Sequence, residues 1–313
     1  MCGIAGVITK KDVELSEKHL YKRRTIFTGL LVAMQERGTQ SAGVAFIDKN
    51  KLAIVKAPVS ALQFINNPRF KKLMQQNYPL IIGHTRFATQ GDITKRNAHP
   101  FLRGNIVGVH NGTVHNVDDF KRFNKTLQVD SELIFNLLSE SDNDYRKTFK
   151  KLEGNFAIAW TKMLKDDYEL FLVKDGNPLY IAYIKELKSY FYCSTEEALQ
   201  TVLLSHYSKV KIIDLPESAV INIKSNLFIT EDAIEFKSYY STNYNKRKTL
   251  AEEFEFDEDS YFNKKDYENG MCGTCHRALL YCECDVPMCQ DCAVKIITTY
   301  YMLPSGTVLC EDC

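Results

Sequence analysis

The chain opens with MCGIAGVIT, residues 1–9, in which Cys2 precedes an apolar run interrupted only by Gly3 and Gly6. Such a run reads as a buried strand. Met before a small residue is normally trimmed, which would leave Cys2 with a free α-amine. An α-amine titrates near ~7.7–8.0, far below lysine, and can act as a general base at neutral pH. A thiol of ordinary pKa, ~8.5, is mostly protonated there and gains from a neighbouring base. Nucleophile and base then belong to one residue. Taken alone, however, Cys2 has an ordinary reading as a small residue at a strand end.

Outward from this strand, residues 2 to about 240 alternate β-rich runs with helical stretches. AGVAFID, LAIVKA, LIIGHT, IVGVHNG, FAIAW, ELFLVKD, LYIAYI, YFYCS and AVINI each read as buried or half-buried strands. Lys18 to Gln35 and Asp130 to Leu138 carry helix-spaced apolar residues, with Asp130 or Ser131 as N-cap of the second. Many strands with a few long helices predict an α+β, layered fold.

The 313 residues suffice for one large domain, or a medium one plus a small one. With 45% apolar and 25% charged residues the chain reads as soluble and globular. The 40 basic and 39 acidic residues nearly cancel, so nucleic-acid binding is not indicated by net charge. No stretch has the length of a membrane span or the pattern of a signal peptide, and a cytoplasmic location is expected.

MCGIAG, ERGTQSAG (36–43), GHTRFATQG (83–91), NAHPF (97–101), VHNGTVHN (109–116), DSELIF (130–135), LEGNFAIAW (152–160), KDGNPL (174–179) and STEEAL (194–199) occur in this order. The set resembles the class II glutaminase domain of glutamine amidotransferases, members of the N-terminal-nucleophile hydrolases. ERGTQSAG is most similar to amidophosphoribosyltransferase, and GHTRFAT and NAHPF also to glucosamine-6-phosphate synthase. The resemblance covers residues 2 to about 225. It implies a four-layer αββα sandwich over residues 2–237 and hydrolysis of L-glutamine to glutamate and ammonia through a thioester on Cys2.

The resemblance also implies roles. Cys2 is the nucleophile. Asn111 and Gly112 supply the oxyanion site through a side-chain amide and a backbone N–H, where removing one donor typically costs ~2.7–4 kcal/mol. Arg86 faces the substrate carboxylate, for which its planar fork is suited. Asp130 faces the substrate ammonium, and Thr89 lines the pocket near the carboxylate. Individually, an Arg at a strand end, an Asn-Gly turn and a helix-capping Asp are commonplace. Their co-occurrence with Cys2 favours a site. His84, His99, His110 and His115 are read as packing or supporting groups, because this mechanism has its own base. Cys193 is read as a buried small residue. Where some family members have Trp and His in the loop after the arginine, this chain has Phe87 and Gln90.

Residues 238–270 are polar, tyrosine-rich and charged, and read as a linker. Over 271–313 the pattern C-x2-C-x6-C-x-C-x4-C-x2-C-x17-C-x2-C comprises Cys272, Cys275, Cys282, Cys284, Cys289, Cys292, Cys310 and Cys313. Crowded cysteines in a non-secreted chain point to metal ligation. Eight thiolates match two tetrahedral structural zinc sites in a small RING-like or ribbon-like module. Interleaved pairing, sequential pairing and a single site from the outer pairs all remain open; His276 could replace one ligand, and an iron–sulfur cluster is the lesser alternative.

No stretch resembles a phosphoribosyltransferase, a sugar isomerase or an ATP-dependent synthetase. A separate synthase partner is therefore expected to bind the ammonia acceptor. The competing expectations are a catalytically silent protein of the same fold that docks through its zinc module, and a hydrolase of the same superfamily acting on another amide.

Overall fold

A computed structural model describes residues 1–49, 51–123 and 127–236, together with the backbone of 301–302 and 308–309. The strands are β1 (Gly3–Thr9), β2 (Ser41–Asp48), β3 (Lys51–Ala57), β4 (Leu80–Arg86), β5 (Phe101–Arg103), β6 (Ile106–Val114), β7 (Gly154–Lys162), β8 (Glu169–Asp175), β9 (Tyr180–Ile184), β10 (Ser189–Cys193), β11 (Ile212–Asp214), β12 (Ala219–Lys224) and β13 (Ile229–Ala233). The helices are α1 (Glu17–Ala33), α2 (Ala61–Phe64), α3 (Pro68–Met74), α4 (Ser131–Glu140), α5 (Tyr145–Phe149) and α6 (Glu196–Leu204). Two further short strands, Tyr301–Met302 and Val308–Leu309, pair antiparallel.

Two antiparallel sheets carry the fold. One has seven strands in the order β11-β9-β10-β1-β4-β2-β3, and the other has six in the order β13-β12-β8-β7-β6-β5. Three buried clusters define the layers. Ile4, Ile8, Ala45 and Ile82 of the first sheet meet Val107, Val109, Ala159 and Leu172 of the second. The alternate residues of the first sheet, such as Val7, Val44 and Ile81, pack against Phe27, Leu30 and Leu31 of α1 and Leu199 of α6. On the far side of the second sheet, Ile158 and Trp160 pack against Leu133, Phe135 and Leu138 of α4 and Phe149 of α5. The period-2 exchange of side chains across each sheet thus gives helices, sheet, sheet, helices. That matches the expected αββα layering.

The predicted strands and the two long helices are present. Sequence patterns missed β5 and β11, each of three residues, too short to show a period, and also β13 and the short helices α2, α3 and α5. They also missed α6, whose N-cap Thr195 makes no side-chain capping bond. The linker and the cysteine-rich module, with Cys272, Cys275, Cys282, Cys284, Cys289, Cys292, Cys310 and Cys313, lie outside the residues whose side chains are described.

β1 lies inside its sheet, between β10 and β4, so Cys2 is delivered to the end of a central strand. Gly6 is paired with Tyr192 across β1 and β10. A Cβ at Gly6 would sit 2.1 Å from the Tyr192 ring, which is fully buried. Gly6→Ala is therefore expected to destabilise the fold by about 1–3 kcal/mol through overpacking. Urea unfolding measures this, and an unchanged midpoint would show that Tyr192 can move aside.

Candidate functional site

Strand ends from both sheets converge on Cys2. Its carbonyl oxygen accepts from Arg37 Nε at 2.7 Å and from Asn111 Nδ2 at 2.9 Å. Asn111 lies on β6, in the second sheet, so this bond joins the two sheets at the nucleophile. Asn111 Nδ2 also donates to Ser194 Oγ at 2.9 Å, and Ser194 Oγ accepts from the Ile4 backbone at 2.8 Å. Ser194 follows β10, and its own N–H donates to the Ile4 carbonyl at 3.0 Å. Both ends of β1's first residues are thereby fixed.

The Cys2 thiol is half-buried. Sγ lies 3.4 Å from the Phe87 N–H and 3.5 Å from the Phe87 carbonyl. Burial pushes the thiol pKa up. The Phe87 hydrogen bond, the Met1 ammonium and Arg86 oppose this, while Asp130 adds to it. The thiol thus sits in the fields of two cations, the Met1 ammonium and Arg86, and one anion, Asp130.

Arg86 and Asp130 have no counter-ion among the described side chains. Arg86, 4% exposed at the end of β4, donates through Nη1 to the Asp92 carbonyl at 3.1 Å. Its Nη2 donates to the Gln90 carbonyl and, at 3.5 Å, to that of Gly91. Neutral loop carbonyls therefore stand where a carboxylate would bind more strongly. Asp130 precedes α4. Its Oδ1 accepts from Ser131 N and its Oδ2 from Val114 N, both at 2.8 Å. It is an N-cap and a poised anion together.

Cys2, Arg86, Thr89, Gly112 and Asp130 line one small cavity with Phe87, Gln90, His99 and His110. Its volume is about 20 Å³, room for about one water. Asn111 stands beside it on the Cys2 carbonyl. Gly112 has φ +139°, and a Cβ there would lie 1.8 Å from the Asn155 carbonyl oxygen, so only glycine fits. All six residues singled out in this region of the sequence are therefore brought together.

Sequence reasoning assigns no role to Arg37 or Ser194, and reads His99 and His110 only as packing or supporting groups. Arg37 and Ser194 sit in quoted motifs, ERGTQSAG and STEEAL, but their partners are backbone groups and an amide. His84, His99 and His110 form a buried group under the cavity. The His84 and His99 ring centroids are 4.0 Å apart, His84 Nε2 lies 3.2 Å from the His110 carbonyl, and His110 Nδ1 lies 2.9 Å from Ser131 Oγ. His99 contacts no hydrogen-bond partner at either ring nitrogen. His115 is exposed and Cys193 is fully buried.

The glutamine amidotransferase domain family matches residues 84–201. The chain carries a class II glutamine amidotransferase domain. It is 30% identical over 247 residues to the glutamine–fructose-6-phosphate aminotransferase of Sulfolobus acidocaldarius, covering 74% of this chain and 38% of that protein. Against the enzyme of the same name from Helicobacter pylori it is 30% identical over 301 residues, covering 90% of this chain and 44% of that one. The chain thus spans less than half the length of these curated relatives. In fold it is similar to the glutamine phosphoribosylpyrophosphate amidotransferase of B. subtilis, with a TM-score of 0.57, 20% identity, and coverage of 74% of this chain and 49% of that one. The amidotransferases of this class are glutamine-hydrolysing N-terminal-nucleophile enzymes. No described helix is long and apolar enough to cross a membrane.

Burial lowers the pKa of all three histidines, that of His84 to about 3. They are neutral in this amidotransferase domain at physiological pH. The unfolded chain binds protons below the ordinary imidazole value, ~6.5, and the folded chain does not. Stability should therefore be full above that value and fall as pH drops, by ~1.4 kcal/mol per pH unit for each histidine. Urea unfolding as a function of pH tests this; stability that stays flat on acidification would contradict a neutral buried cluster.

Proposed function

We propose that the domain hydrolyses L-glutamine and passes ammonia to an acceptor. The carrying observation is that a cation, Arg86, and an anion, Asp130, neither with a side-chain counter-ion among the described residues, line the same small cavity as the Cys2 thiol. A free amino acid presents the complementary pair, a carboxylate and an ammonium, and glutamine adds an amide of a length to reach the thiol.

Removal of Met1 frees the Cys2 α-amine. The thiol attacks the amide carbon while its proton passes to that amine. The oxyanion is held by Asn111 Nδ2 and the Gly112 N–H, positions that act in a water-poor site. The amine returns the proton to the leaving ammonia as the C–N bond breaks. Water then cleaves the γ-glutamyl thioester to glutamate, restoring the thiol. Two contacts must be exchanged on the way. Arg86 trades the Gln90, Gly91 and Asp92 carbonyls for the substrate carboxylate, so the Phe87–Asp92 loop swings outward and enlarges the cavity. Asn111 yields its bond to the Cys2 carbonyl as the oxyanion forms.

Glutamate release by Met1-processed protein tests the reading. Cys2→Ala should abolish it. Asn111→Ala should lower kcat by about 10²–10³, as expected for losing one oxyanion donor. Arg86→Lys should act chiefly on KM, because a point charge replaces a bidentate fork. Glutamate release that survives Cys2→Ala, or its absence from processed protein supplied with its partner, would sink the proposal and favour a catalytically silent binding protein.

The two aminotransferases named above transfer an amino group to fructose 6-phosphate by name, and more than half of each lies outside the match to this chain. We assign the acceptor to a separate synthase chain and the cysteine-rich module to docking it. Cys272, Cys275, Cys282, Cys284, Cys289, Cys292, Cys310 and Cys313 would hold about two structural zinc ions, four thiolates each, closing both coordination shells. A segment of this size buries too little apolar surface to hold a fold alone, and zinc supplies on the order of 10–16 kcal/mol to such units. Elemental analysis and native mass of the full chain should find zinc that is lost on replacing Cys272 and Cys275 by Ser. A metal-free full chain with reduced thiols would reject the assignment.

A further inference from the structure

Ser194 is buried immediately after β10, and its hydroxyl stands where the two sheets meet. The β1–β10 register runs as far as the pair Ala5 and Cys193. One residue further, the Ser194 N–H donates to the Ile4 carbonyl at 3.0 Å, and the Ile4 N–H donates back to the side chain, reaching Oγ at 2.8 Å. The same Oγ accepts from Asn111 Nδ2 at 2.9 Å. A hydroxyl oxygen has two acceptor lone pairs, and here donors from different sheets take both. Ile4 lies two residues from the nucleophile on β1, and Asn111 lies on β6. Ser194 Oγ therefore fixes the amide nitrogen relative to the strand that carries Cys2.

That nitrogen carries two hydrogens. One is directed to the Cys2 carbonyl at 2.9 Å and the other to Ser194 Oγ. On the proposed reaction the first changes acceptor, from the Cys2 carbonyl to the oxyanion. The carbonyl it leaves keeps Arg37 Nε at 2.7 Å, so no buried acceptor is orphaned by the exchange. The second bond is untouched by the exchange and holds the nitrogen while the first is redirected. Oxyanion donors are effective because they are held in place before the charge develops, and a donor that must first be reorganised stabilises it less.

We propose that Ser194 is a positioning residue for glutamine hydrolysis, its Oγ serving as the fixed pivot about which the Asn111 amide turns from the Cys2 carbonyl to the oxyanion. The proposal rests on the glutaminase reading, in which Asn111 supplies the oxyanion donor. Ser194 is not among the residues that line the cavity, so it acts through Asn111 and not on the substrate. Alanine at this position keeps the backbone bond to Ile4 and removes the acceptor that Asn111 and the Ile4 N–H share.

A double-mutant cycle on the Met1-processed full chain tests it, with kcat and KM for glutamine hydrolysis measured for the native protein, Ser194→Ala, Asn111→Ala and the double variant. Ser194→Ala should lower kcat by about tenfold, ~1.4 kcal/mol. KM should stay unchanged, because Arg86 and Asp130 are untouched. In the Asn111→Ala background the same replacement should cost nothing further, since the group it positions is gone. Ser194→Cys, which keeps a weaker acceptor, should give a smaller loss that also disappears with Asn111→Ala; it replaces Ser194→Ala in the cycle if urea unfolding shows that the alanine variant does not fold. An equal loss in both backgrounds would mean that Ser194 supports β1 and not the amide, and overturns the proposal. So does a change confined to KM, or an unaltered kcat in Ser194→Ala while Asn111→Ala is impaired. If Asn111→Ala itself leaves kcat unchanged, the oxyanion assignment has failed and the pivot falls with it.

Discussion

The Cys2 carbonyl is the point on which the rest turns. Arg37 reaches it from the segment after α1 and Asn111 reaches it from β6 of the second sheet, so one oxygen is held both from the helical side of its own sheet and from the opposite sheet. The layered core sets the distance between the sheets, and that distance places the Asn111 amide at the strand end. Any shift of β1 along its neighbours would exchange its two faces, because the side-chain period is 2. Gly6 and Tyr192 oppose such a shift from the β10 side. Register, packing and the position of the thiol are therefore one constraint.

Much of this was legible in the sequence, and unevenly so. Most of the long strands announced themselves because they are buried over five residues or more; β3, in which only Val55 is fully buried, showed through its apolar run. Cys2, Arg86, Thr89, Asn111, Gly112 and Asp130 were legible only as a set. The structure explains why single residues mislead. Asp130 was open to reading as a helix cap or as a site anion; it caps α4 and also lines the pocket, with two backbone N–H groups each bonded to one of its oxygens. Arg37 could not be found the same way. Its partner is a backbone carbonyl, present at every residue, so no complementary side chain in the sequence points to it. Short elements such as β5 depend on tertiary pairing with β6, which no local pattern carries.

The electrostatics of the pocket follow from what the protein does not supply. A buried guanidinium normally finds a carboxylate, and a buried carboxylate normally finds a cation. Arg86 and Asp130 are instead held by neutral backbone dipoles, which orient each charge without neutralising it. The three histidines below could have spoiled this balance by protonating. Dense burial keeps them neutral, and the Asp130 field, which favours protonation of His110, is outweighed by desolvation. The pocket retains one charge of each sign for whatever enters it.

The small volume of the pocket is consistent with that arrangement. A cavity lined by uncompensated charges of both signs would fill with water if it were large, and water would screen both charges. Folding the Phe87–Asp92 loop inward gives Arg86 three carbonyl partners and closes the space. A ligand must then bring a carboxylate, because a neutral group offers Arg86 no better bond than the loop already makes, whereas a charge-assisted pair is roughly twice as strong. The same loop begins with the Phe87 amide that contacts the Cys2 sulfur. On the proposed function, carboxylate binding at Arg86 and the environment of the thiol are mechanically linked: the exchange that would admit the ligand would also alter the hydrogen bond from Phe87 to the Cys2 sulfur. On that function, discrimination for a zwitterionic substrate would arise from the cost of opening the loop as much as from the contacts made afterwards.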